Sequence, residues 1–458
     1  MSYLLDFVKS FDDNELKQFR LLDLAGKEEL IRDEYANHAG KKNFHENNLV
    51  AKYQLTQSHF DKINSIILDK TIAQFYGTDY LLCLRSLLRK GLSQLMLHEL
   101  KIMERRLIKT VATCEKSKFY LAAFESLQGM FHPNYNSKLT AAYGKKYLQS
   151  LGKNTTLADE AYVGLRLHQA DMLSQSVAGK ENEYRPFALD VLKSWYKKLS
   201  GTRFSEAWFH YYFTYSNYVK YYGTEVKEFT DALMKCVELL PDLSTEFRKS
   251  YEFRIYCELG FGCIEGGDFF QAEEYYSRAF NLPNAANQIR PYQSGSYLNV
   301  CLINKTYSQG ILIFENYLRK YLVPGTNRSL QFDILVNAFC LQLHIANYDE
   351  AFEFLQSLKL FKKNEVSRQA DMIVRVCETM HFYCLKDYTV AKVIANKNLR
   401  FLNRAENRNE QFEYYRQLVY CIFQLSTHKQ KNKPIPDILR QRVNNLKGGL
   451  YQIFNQLL

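Results

Sequence analysis

The feature that most constrains the fold is a segment of two short amphipathic helices that face each other across a tight turn. It spans residues 256–283, YCELGFGCIEGGDFFQAEEYYSRAFNLP, with a Gly-Gly-Asp turn at 266–268. Gly260 and Ala272 stand where the two helices would touch, and we expect them to face each other at close approach. Pro283 ends the second helix, because its ring removes a backbone donor and clashes with the preceding turn. The segment therefore predicts a tightly packed pair of antiparallel helices.

The same pattern recurs through the chain at intervals of 38 to 43 residues. The position equivalent to Ala272 begins each second helix and is usually small: Ala188, Phe229, Ala272, Gly310, Ala351 and Ala391. In three of these copies a polar residue and an aromatic ring precede it: Asp268-Phe269, Asn347-Tyr348 and Asp387-Tyr388. Self-similarity at such a spacing indicates an array of stacked helix pairs.

The run Gly-Asp-Phe-x-x-Ala-x-x-Tyr-Tyr-x-x-Ala-x-x-x-Pro resembles a tetratricopeptide repeat. The resemblance implies an all-α fold, a right-handed α-α superhelix in which the first helices of the pairs form a concave groove. Two features depart from the family. The usual period is about 34 residues, so each helix here should gain about a turn. Phe229 also replaces the small residue in one copy, which predicts a wider helix separation there.

The sequence predicts three segments. Residues 1–78 form a small N-terminal helical domain, with helices expected at 3–10, 13–24, 27–38, 46–53 and 57–76. Residues 79–116 read as a long basic connector, one helix or two joined near Gly91, with an apolar stripe from 84 to 100. Residues 117–458 hold the repeat array. Its last helix follows Pro434 and Pro436, and its outer face bears Arg440, Arg442 and Lys447, which suits a polar capping helix.

The net charge of +11 is unevenly distributed. Residues 81–120 carry nine Lys or Arg against three acids, and residues 396–458 carry eleven against four. Solvated helix faces are one interpretation, and an acidic partner or a nucleic acid backbone is the other. Residues 48–72 also resemble a helix-turn-helix in outline, with His59, Lys62 and Asn64 as base-reading candidates. Leu55 stands where the tight turn usually has Gly.

Several function classes lack their signatures. The ten Cys and ten His residues form no C-x-x-C, H-x-x-x-H or H-E-x-x-H, so we expect free thiols and no metal site. Phosphate-binding glycine loops and nucleophile motifs are also missing, which predicts a protein that is not an enzyme and needs no cofactor. No apolar run approaches about 18 residues, and the N-terminus is unlike a signal peptide. We therefore expect a cytoplasmic protein without a membrane segment.

The aromatic stretch 206–223, EAWFHYYFTYSNYVKYYG, supplies the first candidate binding residues. Its tyrosines at helical spacing share one face: Tyr211, Tyr215, Tyr218 and Tyr222. A helix that is apolar all round is typically buried on both sides. Alternatively, the amphipathic Tyr rings line a groove for a peptide or another helix.

The family resemblance adds further candidates to this surface, because ligands of the family lie along the first helices: Arg254, Tyr292, Asn299 and Asp333. The Lys and Asn ladder with which some members clamp a terminal carboxylate has no clear counterpart. The sequence therefore predicts a non-enzymatic scaffold or adaptor that binds a peptide or protein segment in the concave groove. The alternative is a regulator that contacts nucleic acid through its N-terminal or basic segments while the repeats sense a partner.

Overall fold

The protein is all-helical. The computed structural model describes residues 3–11, 13–38, 46–76, 83–84, 86–87, 92–110, 113–128, 136–223, 225–283, 285–322, 328–361, 368–403 and 410–444. Within these ranges there is no β-strand, and almost every residue lies in a helix or in a short turn between helices. The helices form two compact units, Met1–Thr224 and Glu225–Leu458. The division falls inside the segment for which the sequence predicted one continuous array.

The helices of the first unit lie before residue 224. They are α1 (Tyr3–Lys9), α2 (Asp13–Arg20), α3 (Lys27–His38), α4 (Asn47–Lys52), α5 (Gln57–Tyr76), α6 (Ser93–Thr110), α7 (Thr113–Gln128), α8 (Ser137–Leu151), α9 (Leu157–Val177), α10 (Glu181–Leu199) and α11 (Ser205–Tyr222). The first five agree with the predicted N-terminal helices to within a few residues at each end. Their core continues through the predicted connector, where Leu87 and Met96 are buried, and on to Tyr143 and Val163. The N-terminal helices and the connector are therefore not separate from the first helix pairs, while Gly91 lies outside the described residues.

The second unit is a succession of antiparallel helix pairs. Its helices are α12 (Val226–Leu239), α13 (Thr245–Glu265), α14 (Phe269–Phe280), α15 (Pro291–Asn304), α16 (Tyr307–Ile313), α17 (Arg328–His344), α18 (Tyr348–Lys359), α19 (Arg368–Cys384), α20 (Tyr388–Asn403), α21 (Glu410–Gln430) and α22 (Asp437–Asn444). Helix α16 continues as a π-helical turn, Phe314–Leu318, and a 3-10 turn. Each first helix packs on its own second helix, and the first helices α13, α15, α17, α19 and α21 contact one another in series.

Four turns between paired helices share one backbone conformation. The residue two positions before the second helix has a positive φ angle in each: Gly267 at 80°, Lys305 at 64°, Ala346 at 59° and Lys386 at 62°. This left-handed residue ends the first helix of the pair. Backbone hydrogen bonds then satisfy the last carbonyl groups of that helix; for example, the Asp268 backbone nitrogen donates to the Cys263 carbonyl oxygen, at 2.9 Å. Only the first of these turns uses glycine, the residue that takes this conformation without strain.

The recurring small position is buried in every predicted copy. Ala188, Ala272, Gly310, Ala351 and Ala391 are buried, and so is Phe229. In five of the six copies this residue is the fourth of its helix, the exception being Ala188 in α10. These positions fit the predicted helix–helix contacts, although the assignment to tetratricopeptide repeats stays a hypothesis.

Two glycines of α13 change the packing that the sequence predicted. A Cβ atom on Gly260 would lie 2.8 Å from Cε2 of Tyr276, so Gly260 faces that ring where Ala272 was expected. A Cβ atom on Gly262 would lie 3.0 Å from the ring of Phe229. Gly262, on the facing helix, thus makes room for the Phe229 ring. The sequence predicted that a wider helix separation would make that room.

The C-terminal helices end in a mostly polar surface. Leu439 of α22 is buried against the core of the second unit, while Arg440 and Arg442 are exposed. The predicted capping helix corresponds to α22 over its described part, and its capping role stays a prediction. Lys447 lies outside the described residues.

Candidate binding cleft

A cleft of about 340 Å³ opens on the face that the first helices of the second unit share. The residues that line it come from α15, α17, α19 and α21: Pro291, Tyr292, Gly295, Ser296, Asn299, Leu330, Asp333, Ile334, Val336, Asn337, Ile373 and Tyr415. We call this site the cleft. Three of the predicted binding residues meet in it, namely Tyr292, Asn299 and Asp333.

Helix periodicity explains why these residues meet. In α15 the lining positions 292, 295, 296 and 299 follow steps of three and four, and in α17 positions 330, 333, 334 and 337 do the same. Residues at such spacing occupy one face of a helix. Two adjacent first helices therefore present parallel rows of side chains to the cleft.

The floor of the cleft is apolar, and its rim is polar. Ile334, Val336 and Tyr415 are buried, whereas Tyr292 keeps 67% of its surface exposed at the rim. Gly295 widens the cleft, since a Cβ atom there would meet only the Asn337 amide nitrogen, at 3.8 Å. A concave apolar site with a few polar groups is the usual form of a binding site.

Asn299 contributes an unsatisfied acceptor. Its side-chain Oδ1 is shielded from solvent and accepts no hydrogen bond from the described residues. A buried polar atom without a partner costs about 1–3 kcal/mol.

Asp333 contributes the cleft's negative charge. Its side chain is exposed, and the surrounding walls partly desolvate the carboxyl group and raise its pKa above the ordinary value. No ion pair or hydrogen bond to another described residue offsets this desolvation. The carboxylate is thus an acceptor that the protein itself leaves unneutralised.

The Tyr292 end of the cleft has a different electrostatic character. Desolvation by burial raises the pKa of the Tyr292 hydroxyl, and the nearby Glu258 raises it further, while Arg254 and Arg290 act in the opposite direction. Arg254 lies on α13, the first helix of the preceding pair, and so extends the same face. All four predicted binding residues of the second unit are therefore neighbours on first helices.

The four predicted tyrosines of α11 occupy a different environment, in the first unit. Tyr211, Tyr218 and Tyr222 are at most 8% exposed, and only Tyr215 is half-buried. The rings form a ladder with centroids 6.2, 6.1 and 5.6 Å apart. Tyr211, Tyr218 and Tyr222 do not line an open groove, because they are buried in the first unit, and this corrects their assignment as groove candidates. Tyr215 keeps part of its surface exposed.

Helices α9 and α10 cover part of that ladder. The Tyr222 hydroxyl donates a hydrogen bond to the carbonyl oxygen of Met172, at 3.0 Å. The Tyr211 ring packs on Tyr196, with ring centroids 5.7 Å apart. Burial accordingly raises the pKa of Tyr211 and Tyr222 to about 12 each. Helix α11 is apolar on all sides because α9 and α10 pack against it.

The helix-turn-helix outline corresponds to α4 and α5, with Thr56 capping the second helix through the backbone nitrogen of His59. His59 and Lys62 are exposed. Asn64 is buried and accepts a hydrogen bond from the Tyr35 hydroxyl, at 3.2 Å. One of the three base-reading candidates is therefore a core residue, which weakens the nucleic acid interpretation.

Other kinds of site receive no support from the described part of the chain. It contains no cluster of three His, Cys, Asp or Glu residues that would hold a metal ion. The nine cysteines whose side chains the structure describes are free thiols, and burial raises the pKa of thiols such as Cys301 and Cys384. None of its helices combines the length and the apolar character that crossing a bilayer requires.

Comparisons with known proteins identify no family. No protein-family profile and no curated protein matches the sequence. Among solved structures, the chain is similar to a Signal Transduction ATPase with Numerous Domains (STAND) protein with a tetratricopeptide repeat sensor from Pyrococcus horikoshii. The identity is 13% and the TM-score 0.33; the similarity covers 97% of this chain and 61% of that one. A TM-score this low supports no inference about function.

Several cleft residues escaped the sequence-based prediction. Gly295 and Ser296 are three and four residues after Tyr292, and Asn337 is four residues after Asp333. Helical spacing alone therefore places these residues on the same faces, so the sequence could have predicted them. Ile373 and Tyr415 come from later helix pairs, and no local pattern marks them as neighbours of the cleft. Their position depends on how successive pairs stack.

Proposed function

We propose that this protein is a non-enzymatic interaction scaffold with tetratricopeptide-like helix pairs, and that it binds an extended peptide or protein segment in the cleft. The observation that carries the proposal is the convergence of exposed and unsatisfied polar groups on one apolar cleft. Tyr292, Asn299 and Asp333 come from two first helices and lie above buried aliphatic side chains. Such a surface fits a chain that lies across successive helices.

The test is a selection of random peptides displayed on phage against the purified full-length protein. The matched variant is Gly295→Phe, because a Cβ atom at this position meets only the Asn337 side-chain nitrogen, at 3.8 Å, and a ring built on it takes up cleft volume. Gly295→Ala is the control, since a methyl group meets only ordinary contact there. We expect the wild type and Gly295→Ala to enrich a common set of peptides, and Gly295→Phe to lose it.

Equal enrichment by Gly295→Phe would move the binding site away from the cleft. Thermal melting of all three proteins establishes that a lost signal does not reflect unfolding. A salt titration separates the nucleic acid alternative, because phosphate-driven binding weakens steeply as salt rises. Binding in the cleft weakens far less over the same range, because Asp333 is the one charged residue among its described lining.

A further inference from the structure

The cleft holds two hydrogen-bond acceptors that the described residues do not satisfy. The Asp333 carboxylate has neither an ion pair nor a hydrogen bond there, and the Asn299 Oδ1 has no donor. Among the described residues that line the cleft, Asp333 is also the only acidic or basic one. The Asp333 end of the cleft can therefore accept a positively charged hydrogen-bond donor.

Nearby basic side chains of the same helices are engaged elsewhere. The Arg328 guanidinium lies 4.2 Å from the centroid of the Phe361 ring. The Arg375 guanidinium lies 3.7 Å from the centroid of the Phe401 ring and pairs with Asp371. Cation–π and ionic contacts of this kind hold both groups in place. They do not neutralise Asp333.

The walls around Asp333 suit the stem of a long basic side chain. Leu330, Ile334 and Ile373 line the cleft together with Val336. Lys and Arg bury their methylene groups on apolar surface while their charged ends reach a polar partner. A neutral side chain could donate a hydrogen bond to the carboxylate but would not neutralise its charge.

We propose that the Asp333 end of the cleft binds a lysine or arginine side chain of the bound segment. This inference rests on the proposed function and adds the chemical class of the anchoring residue. The cationic group pairs with the Asp333 carboxylate, while its stem packs on the aliphatic wall. At the other end, Arg254 and Arg290 lie near Tyr292 together with Glu258, so that end of the cleft has charges of both signs beside it.

The experiment uses the peptides that the wild type selects. We expect a lysine or arginine at one fixed position in them. One such peptide is then synthesised with its neutral counterpart, citrulline for arginine or acetyl-lysine for lysine. Both are titrated against the wild type, Asp333→Asn and Asp349→Asn. The last variant removes an exposed carboxylate on the second helix α18 and serves as the control.

Neutralising the peptide should weaken binding to the wild type and to Asp349→Asn by about ten-fold or more, as expected for a charge-assisted hydrogen bond. The same change in the peptide should weaken its binding to Asp333→Asn by less than about two-fold, because this variant already lacks the carboxylate charge. Selected peptides without a basic anchor, or an equal loss for all three proteins, would overturn this inference and leave the proposed function standing. Failure of the wild type to select any peptide would overturn both.

Discussion

Gly260 of α13 and Tyr276 of α14 are in such close contact that a Cβ atom on the glycine would lie 2.8 Å from the tyrosine ring. The ring has no room to withdraw, since it is 2% exposed and stacks on Tyr297 with centroids 5.5 Å apart. The close approach of this helix pair therefore depends on the absence of a side chain at position 260.

Gly260→Ala should lower the free energy of unfolding by about 1–3 kcal/mol, the usual cost of overpacking a core. Gly295→Ala is the matched control, because it also adds a methyl group to the interior of a first helix, but into open space. That change should be neutral or stabilise by up to about 1 kcal/mol through helix propensity. Urea unfolding of both variants measures the difference, and equal stabilities would show that the packing at Gly260 is wrongly described.

The left-handed turn residues provide a second prediction. Ala346→Gly and Lys386→Gly should each raise the free energy of unfolding by about 1 kcal/mol, because the β-carbon strains a backbone with φ near 60°. The reverse change, Gly267→Ala, should lower it by a similar amount. Thermal melting is sufficient to rank the three variants. A loss of stability in both glycine variants would contradict the shared turn geometry.

The tyrosine ladder of α11 distinguishes a core role from a binding role. We expect the double variant Tyr211→Ala and Tyr218→Ala to lose several kcal/mol of stability, since truncating each large buried ring costs about 3–5 kcal/mol. Phe270→Ala, at a ring that is 79% exposed, is the control and should melt like the wild type. A double variant that keeps its melting temperature but loses a peptide ligand would restore the groove interpretation.

A buried histidine predicts how stability depends on pH. His210 is 1% exposed; burial, and to a lesser extent the charge of Arg166, lower its pKa to about 3. The unfolded chain binds a proton at this histidine below about pH 6.5, whereas the folded chain does not until about pH 3. The free energy of unfolding therefore falls as the pH drops through this window, by up to about 1.4 kcal/mol per pH unit.

His210→Phe should remove that contribution and reduce the loss of stability between pH 7 and pH 5 by about 2 kcal/mol. Urea unfolding at the two pH values measures it, with a replacement of the exposed His59 by Gln as the control. An unchanged pH dependence in His210→Phe would mean that the imidazole titrates in the folded protein much as it does in the unfolded chain.

Helix positions and small-residue contacts were predictable from the sequence because both depend on local chemistry. The caps and apolar spacing of residues 3–76 place five helices, and the spacing of Ala272, Gly310, Ala351 and Ala391 places one equivalent position in each of four second helices. The turns at Lys305, Ala346 and Lys386 were harder, since no glycine marks their left-handed residue.

Longer-range packing explains what the sequence did not predict. An aromatic face such as that of α11 looks the same whether α9 and α10 cover it or leave it open, so the tyrosines were misplaced. Likewise, nothing local indicates that the core of the N-terminal helices extends to Val163, or that a compact unit ends at 224. The cleft residues Tyr292, Asn299 and Asp333 were predicted because the family resemblance indicates that ligands lie along the first helices of the pairs.

The most direct test of the account is photocrosslinking from two exposed aromatic positions. Benzoylphenylalanine replaces Tyr292, at the rim of the cleft, or Phe270, on the second helix of the preceding pair; the native side chains are 67% and 79% exposed. A peptide selected by the wild type should crosslink from position 292 and not from position 270. Equal crosslinking from both positions, or crosslinking from position 270 alone, would contradict the claim that the first helices hold the ligand.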